Sequence, residues 1–169
     1  MLEQGGFKVI ARERRGAYRS LLRDLRRTLL SEIGARAVYD HIARRARDSE
    51  LAALATELNR EGVDLVSTVQ ALILSMGGQP RRTSIRRRVL ARLLVHSTRV
   101  TGARPALRLI RSAEDTVSRW YGDYALFLVK LGDHERAAAF EELRLVKQRR
   151  ALILGAWVDN LSRGGDRRL

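Results

Sequence analysis

Apolar residues recur at helical spacing over four long stretches of this chain, and the residues between the stretches are helix starts and stops. From about Tyr18 to Arg47, the apolar positions are Leu22, Leu25, Leu29, Ile33, Val38 and Ile42. Asp48 or Ser49 then offers an N-cap. From about Glu50 to Met76, Leu51, Leu54, Leu58, Leu65, Val69, Leu72 and Ile73 line one face. Gly77-Gly78 and Pro80 close that stretch. The third stretch, Pro105 to Leu131, ends at Gly132. Asp133 is placed to cap the fourth, His134 to Leu161. Helices of this length would each span about 40 Å. They suit an antiparallel four-helix bundle with its cross-connection in the middle. Leu, Ala and Arg dominate and prolines number 2, so local preference agrees with an all-α fold.

The remaining segments are basic or polar. Residues 1–17 are expected as a flexible basic lead, and 162–169 as a polar tail. Residues 81–102 read as a short basic amphipathic helix between helices two and three, with Ser84 as its cap. Its apolar positions Ile85, Val89, Leu93 and Val100 alternate with Arg82, Arg86, Arg87, Arg88, Arg92 and Arg99. Such a helix suits contact with anionic lipid, made through Arg82, Arg86, Arg87, Arg88 and Arg92, and equally a solvated face. The whole chain carries a formal charge of +14 at pH 7. That charge favours an anionic membrane surface or an acidic protein as partner. Nucleic acid ranks lower, because aromatic residues are only 5% and do not interleave the charge as stacking platforms. The excess is almost all Arg, which genomic base composition alone can produce. A homo-oligomer is compatible with the pattern.

The absence of cysteine excludes disulfides and thiolate metal sites. No apolar run reaches the roughly 18 residues of a spanning helix. Met1 to Ile10 has no signal-peptide core. The expected location is cytoplasmic, with peripheral attachment at the inner membrane surface as the further expectation. Gly77-Gly78 and Gly164-Gly165 do not follow strands, so no nucleotide-binding loop is indicated.

One constellation occurs twice. Glu32 precedes Tyr39 by two helical turns, and Glu114 precedes Tyr121 by the same interval, so each Glu shares a face with its Tyr. One helix after each pair comes a polar doublet, Glu61-x-x-Asp64 and then Lys147-x-x-Arg150. The chain reads as two helical hairpins, 18–76 and 105–161. Packed face to face, they would carry Glu32, Glu61, Asp64, Glu114, Lys147 and Arg150 toward one interior point.

With Glu32-Ile-Gly-Ala-Arg-Ala-Val-Tyr39, Glu61-Gly-Val-Asp64-Leu, and Glu114 with Tyr121, the chain resembles the ferritin-like di-iron carboxylate proteins. Within them it looks most like the demethoxyubiquinone hydroxylase branch. The resemblance covers about residues 18 to 161. It implies a ferritin-like four-helix bundle, with two iron ions held by one Glu from each of two helices and a Glu-x-x-His from each of the others. It places segment 81–102 where that branch has its membrane-facing helix, and implies an oxygen-dependent hydroxylase of a quinone-like substrate.

The departures are chemical. Asp64 stands where the first His belongs, and Lys147 and Arg150 stand where the second Glu-x-x-His belongs. Arg stays protonated in proteins and is not a metal ligand. Glu142 and Glu141 lie roughly 140° and 120° around the helix from Lys147 and cannot substitute. His41, His96 and His134 are badly placed for the role. If metal is retained, Glu32, Glu61, Asp64 and Glu114 would hold it. Otherwise Lys147 and Arg150 would act as internal counter-charges, with Tyr39 and Tyr121 packed behind them. Glu32 and Glu114 as ordinary exposed helix acids remain the plain alternative, and Trp120 and Trp157 are expected as core or interface fillers. The first expectation is a non-catalytic binding or structural module without cofactor. The alternative is a di-iron oxidoreductase with two iron ions and an unusual ligand set. No residue is assigned a catalytic role.

Overall fold

Helix formers run almost unbroken from the start of the chain. In the computed structural model, which describes residues 3–80 and 103–163 and the side chains of 16–80 and 103–161, helix α1 spans Glu3–Arg45. It takes in most of the lead expected to be flexible. The run from Ala11 to Tyr18 is rich in Arg, Glu and Ala, and a lone Gly16 costs only about 1 kcal/mol, too little to end a helix. At 43 residues α1 is about 65 Å long.

Four short-range devices set boundaries of the other helices. The Asp48 carboxylate accepts from the Glu50 and Leu51 backbone N–H groups and starts α2, Ser49–Ser75. Gly77, at φ +72°, stops it. The Gly78 N–H donates back to the Ile73 carbonyl at 2.8 Å and the Gly77 N–H to the Leu74 carbonyl. The same pair of bonds closes α3, Ala103–Lys130, around Gly132 at φ +77°. Asp133 then receives the Arg136 N–H and opens α4, His134–Arg163. Helix α4 runs two residues past the expected Leu161. The basic segment 81–102, with Arg82, Arg86, Arg87, Arg88 and Arg92, lies outside the described residues, as does the tail beyond Arg163.

The described residues form four helices and no strand. Helix α1 packs along α2 and α3 along α4. Lighter contacts join α1 to α3 and α2 to α4, a pairing compatible with a four-helix bundle. All four helices feed two separate apolar clusters. One gathers Leu21, Leu25 and Leu29 with Val69, Ile73, Tyr121, Leu128 and Phe140. The other gathers Val38, Tyr39 and Ile42 with Leu51, Leu58, Leu107, Leu154 and Val158. Between them lies a layer of charge. Trp157 packs against the second cluster, whereas Trp120 is 41% exposed and fills no core.

Candidate functional site

Each of the four charged residues of this layer lies on the apolar face of its helix. Going round α1 at 100° per residue, Glu32 falls within about 20° of Leu21, Leu25 and Tyr39. On α3, Glu114 stands in the same relation to Leu107 and Tyr121, and on α4 Lys147 does so to Phe140 and Leu154. Packing those faces inward forces the charges inward too. Glu32 and Glu114 are each 3% exposed, Lys147 1% and Arg150 0%.

Inside, the four side chains close a ring of alternating charge. The Lys147 ammonium donates to Glu32 Oε1 and pairs with Glu114 Oε2 at 2.8 Å. The Arg150 guanidinium pairs with Glu32 Oε2 at 3.2 Å and Glu114 Oε1 at 3.6 Å. Its Nη2 also donates to the Leu58 carbonyl at 3.4 Å, and its plane approaches the Tyr39 ring at 5.4 Å from the centroid. Every cation thus touches both carboxylates and every carboxylate both cations. The two negative charges match the two positive ones.

The electrostatics follow from burial and this pairing. Burial pushes the Glu32 carboxyl up, but Lys147 and Arg150 together outweigh it and hold the group below the usual carboxylate range. At Glu114 burial wins. With the Glu32 carboxylate adding to it, it outweighs the two cations, and the carboxyl lies above its usual range. Arg150 is held charged: burial opposes its charge, but Glu114, Tyr39 and Glu32 outweigh that. Tyr39 and Tyr121 flank the layer with hydroxyls driven upward mainly by burial. Tyr121 meets Phe140 edge-on at 5.6 Å between ring centroids.

Glu61 and Asp64 do not join the ring, contrary to the convergence expected of all six residues. Glu61 sits at the rim and is engaged by the exposed Arg149. Asp64 is exposed. The reason is the face α2 buries. Leu51, Leu58, Gly62, Leu65 and Val69 form its centre, and around the helix Glu61 lies about 80° and Asp64 about 140° from it. Gly62 adds a fixed contact, because the Arg36 side chain of α1 crosses α2 there and its Nε donates to Asn59 at 3.2 Å. The pattern of leucines on α2 carried this information, and the analogy between the two hairpins hid it.

Other contacts went unread in the sequence. The Tyr124 hydroxyl donates to Asp24 at 2.6 Å, and the Tyr18 hydroxyl to Asp133 at 3.0 Å. Arg136 reaches the Ser75 carbonyl at 2.9 Å, and Ser118 donates to the Arg144 carbonyl at 3.1 Å. Each is a polar residue at the edge of an apolar face, a weak signal taken alone.

A di-iron centre needs about four carboxylates around two ions that bring some four positive charges into a low-dielectric interior. Here two carboxylates converge, and two cationic heads occupy the space between them. Among the described residues no three His, Asp or Glu side chains gather at one point. The donor set does not fit two iron ions. Compared with known proteins, the chain matches no family model, no curated protein and no solved structure.

Proposed function

We propose that this chain is a ferritin-like, antiparallel four-helix bundle in which a salt-bridged layer replaces the di-iron centre, and that it serves as a non-catalytic binding or structural module. The observation that carries this reading is that Lys147 and Arg150 each bridge Glu32 and Glu114. Protonated amines and guanidinium groups repel metal ions, and here they already neutralise the carboxylates that would have bound them.

The antiparallel arrangement is supported by paired levels along the helices. Arg26 of α1 donates to the Gln79 carbonyl beyond the end of α2, whereas Arg36, further along α1, donates to Asn59, earlier in α2. Likewise Asp24 meets Tyr124 of α3, whereas Glu32, further along α1, shares the Lys147 ammonium with Glu114, earlier in α3. The module's partner, on this reading, is anionic, because the chain carries a +14 charge. No helix among the described residues is long and apolar enough to cross a membrane, so membrane contact would be peripheral.

Elemental analysis of protein purified after growth in excess iron tests the core of the proposal. Far less than one iron per chain is expected, and near-stoichiometric iron would overturn it. Flotation with anionic and with neutral vesicles tests the partner. Equal binding to both would refute an anionic membrane surface.

A further inference from the structure

Hydrophobic burial alone does not say which hairpin of this chain should pair with which. Both apolar clusters draw Leu, Ala and aromatic residues from α1 and α2 as well as from α3 and α4. Helices α1 and α3 even carry the same Glu-x6-Tyr pair on their buried faces. On apolar grounds, then, two copies of the first hairpin, two of the second, or one of each could close a core.

We infer that the buried charged layer is the selector: it makes the inner faces of the two hairpins complementary to each other and incompatible with themselves. The inference rests on the salt-bridged layer of the reading above. The α1–α2 hairpin brings one buried charge to the layer, the Glu32 carboxylate. The α3–α4 hairpin brings Glu114, Lys147 and Arg150, and Glu114 cancels one of its two cations. One face is negative by one charge and the other positive by one.

Pairing unlike hairpins leaves the layer neutral. Pairing like with like strands two uncompensated charges of one sign in a dry interior, the most costly arrangement open to such a core. This is specificity by repulsion against the wrong partner as much as by attraction to the right one. The geometry bears it out at each contact. Both cations of α4 reach Glu32 of the other hairpin, and Arg150 also donates to Leu58 there. The choice extends to a second copy of the chain. Two copies that exchanged hairpins would keep two neutral layers.

Charge exchange in the full-length chain tests the inference. E32K makes both inner faces positive, and K147E makes both negative. Each variant alone is expected to lose at least about a hundredfold in the ratio of folded to unfolded chain, read by urea denaturation. E32K/K147E in one chain restores one face of each sign and should return to within about tenfold of the parent. Refolding E32K and K147E together then places each positive face opposite a negative one. The expected product is a 1:1 heterodimer with exchanged hairpins, seen by light scattering and native mass spectrometry and absent from either variant alone.

Parent-like stability of either single variant overturns the inference. So does failure of E32K/K147E to recover, or recovery in one chain without a heterodimer in the mixture. Iron content is measured separately on the unaltered protein. The metal-free reading can therefore fail on its own, and a failure of the exchange would leave it standing.

Discussion

Replacing Lys147 by Met isolates what the charged layer contributes. The two side chains are of similar length, so the change removes charge with little volume and leaves the packing term small. What remains is Glu32 and Glu114 sharing one cation, Arg150, in a layer where each carboxylate is 3% exposed. Taking one partner from a buried ion pair costs about 3–5 kcal/mol, because the other charge stays in the interior without its counter-charge. Set against the roughly 5–15 kcal/mol of a whole domain, that is a large fraction of the total. At about 2–4 °C per kcal/mol for a chain of this size, it should appear as a drop of about 6–20 °C in Tm. Urea denaturation followed by far-ultraviolet circular dichroism measures the loss directly, with the denaturant slope unchanged if only stability moves. The loss should also depend on pH in a definite sense. Glu114 already lies above the usual carboxylate range, and without Lys147 it accepts a proton more readily, so the penalty shrinks as pH falls from neutral toward 5. A second variant separates the pairing from the burial. Replacing Glu32 and Glu114 by Leu with Lys147 and Arg150 by Met removes both signs at once and should be neutral or stabilising by about 1–4 kcal/mol. If Lys147→Met lies within about 0.5 kcal/mol of the parent at pH 7, the reasoning is refuted, because a sealed and balanced layer cannot lose one charge without cost.

The remaining predictions concern residues away from the layer. Asp64→Ala, at an exposed position, should change stability by no more than about 0.5 kcal/mol. Glu61→Ala, whose Arg149 partner is exposed, should cost at most about 1 kcal/mol. A loss above about 2 kcal/mol at either, measured in urea, would return them to the interior. Tyr124 is pushed up to about 12, chiefly by burial and then by its bond to Asp24. Its folded value exceeds the ordinary one near 10, so its contribution is complete below pH 10 and is lost as pH rises toward 12. Tyr124→Phe should flatten that window in a pH series of melting curves. Gly78→Ala should cost about 1–3 kcal/mol, since its Cβ would lie 2.7 Å from Leu22 Cδ2 and 3.0 Å from the Ile73 carbonyl. Gly62→Ala should lower the melting temperature, because its Cβ would lie 2.7 Å from Arg36 Cγ, near the root of a side chain held by Asn59, and that clash offsets a gain in helix preference of about 1 kcal/mol.

Local chemistry was legible in the sequence wherever one residue decides a conformation. Asp48 caps α2 and Gly77 and Gly132 end their helices because a carboxylate near free N–H groups and a residue tolerant of positive φ each act on their own few neighbours. The pairing of Glu32 with Tyr39 and of Glu114 with Tyr121 was readable for a similar reason, since a seven-residue interval keeps both on one face of any straight helix. The start of α1 was harder. Gly5, Gly6 and Gly16 suggest a loose lead, but the Arg, Glu and Ala between them sum to a helix. The expected convergence of Glu61 and Asp64 rests on the likeness of the two hairpins, which carries no information on how α2 is rotated about its axis. The leucines of α2 define its buried face without that analogy and turn both acids away from it. The bonds from Tyr124 to Asp24 and from Tyr18 to Asp133 join residues more than 90 positions apart, and no local pattern announces them.

Charge balance accounts for which acids entered the interior. Once α4 presents Lys147 and Arg150 on its buried face, neutrality requires two carboxylates there, and α1 and α3 supply them from the matching positions Glu32 and Glu114. A third carboxylate inside would have no partner and would have to be buried protonated or at several kcal/mol. Glu61 accordingly stays at the rim, where Arg149 and solvent both reach it, and Asp64 stays outside. A metal centre built on the same helices would need the opposite, with α2 rotated or its acids shifted by one position so that both face inward. The two arrangements are exclusive because each satisfies the same interior charge. The cations on α4 and the outward acids on α2 are therefore one structural choice, and building a metal site there would require changing both helices together.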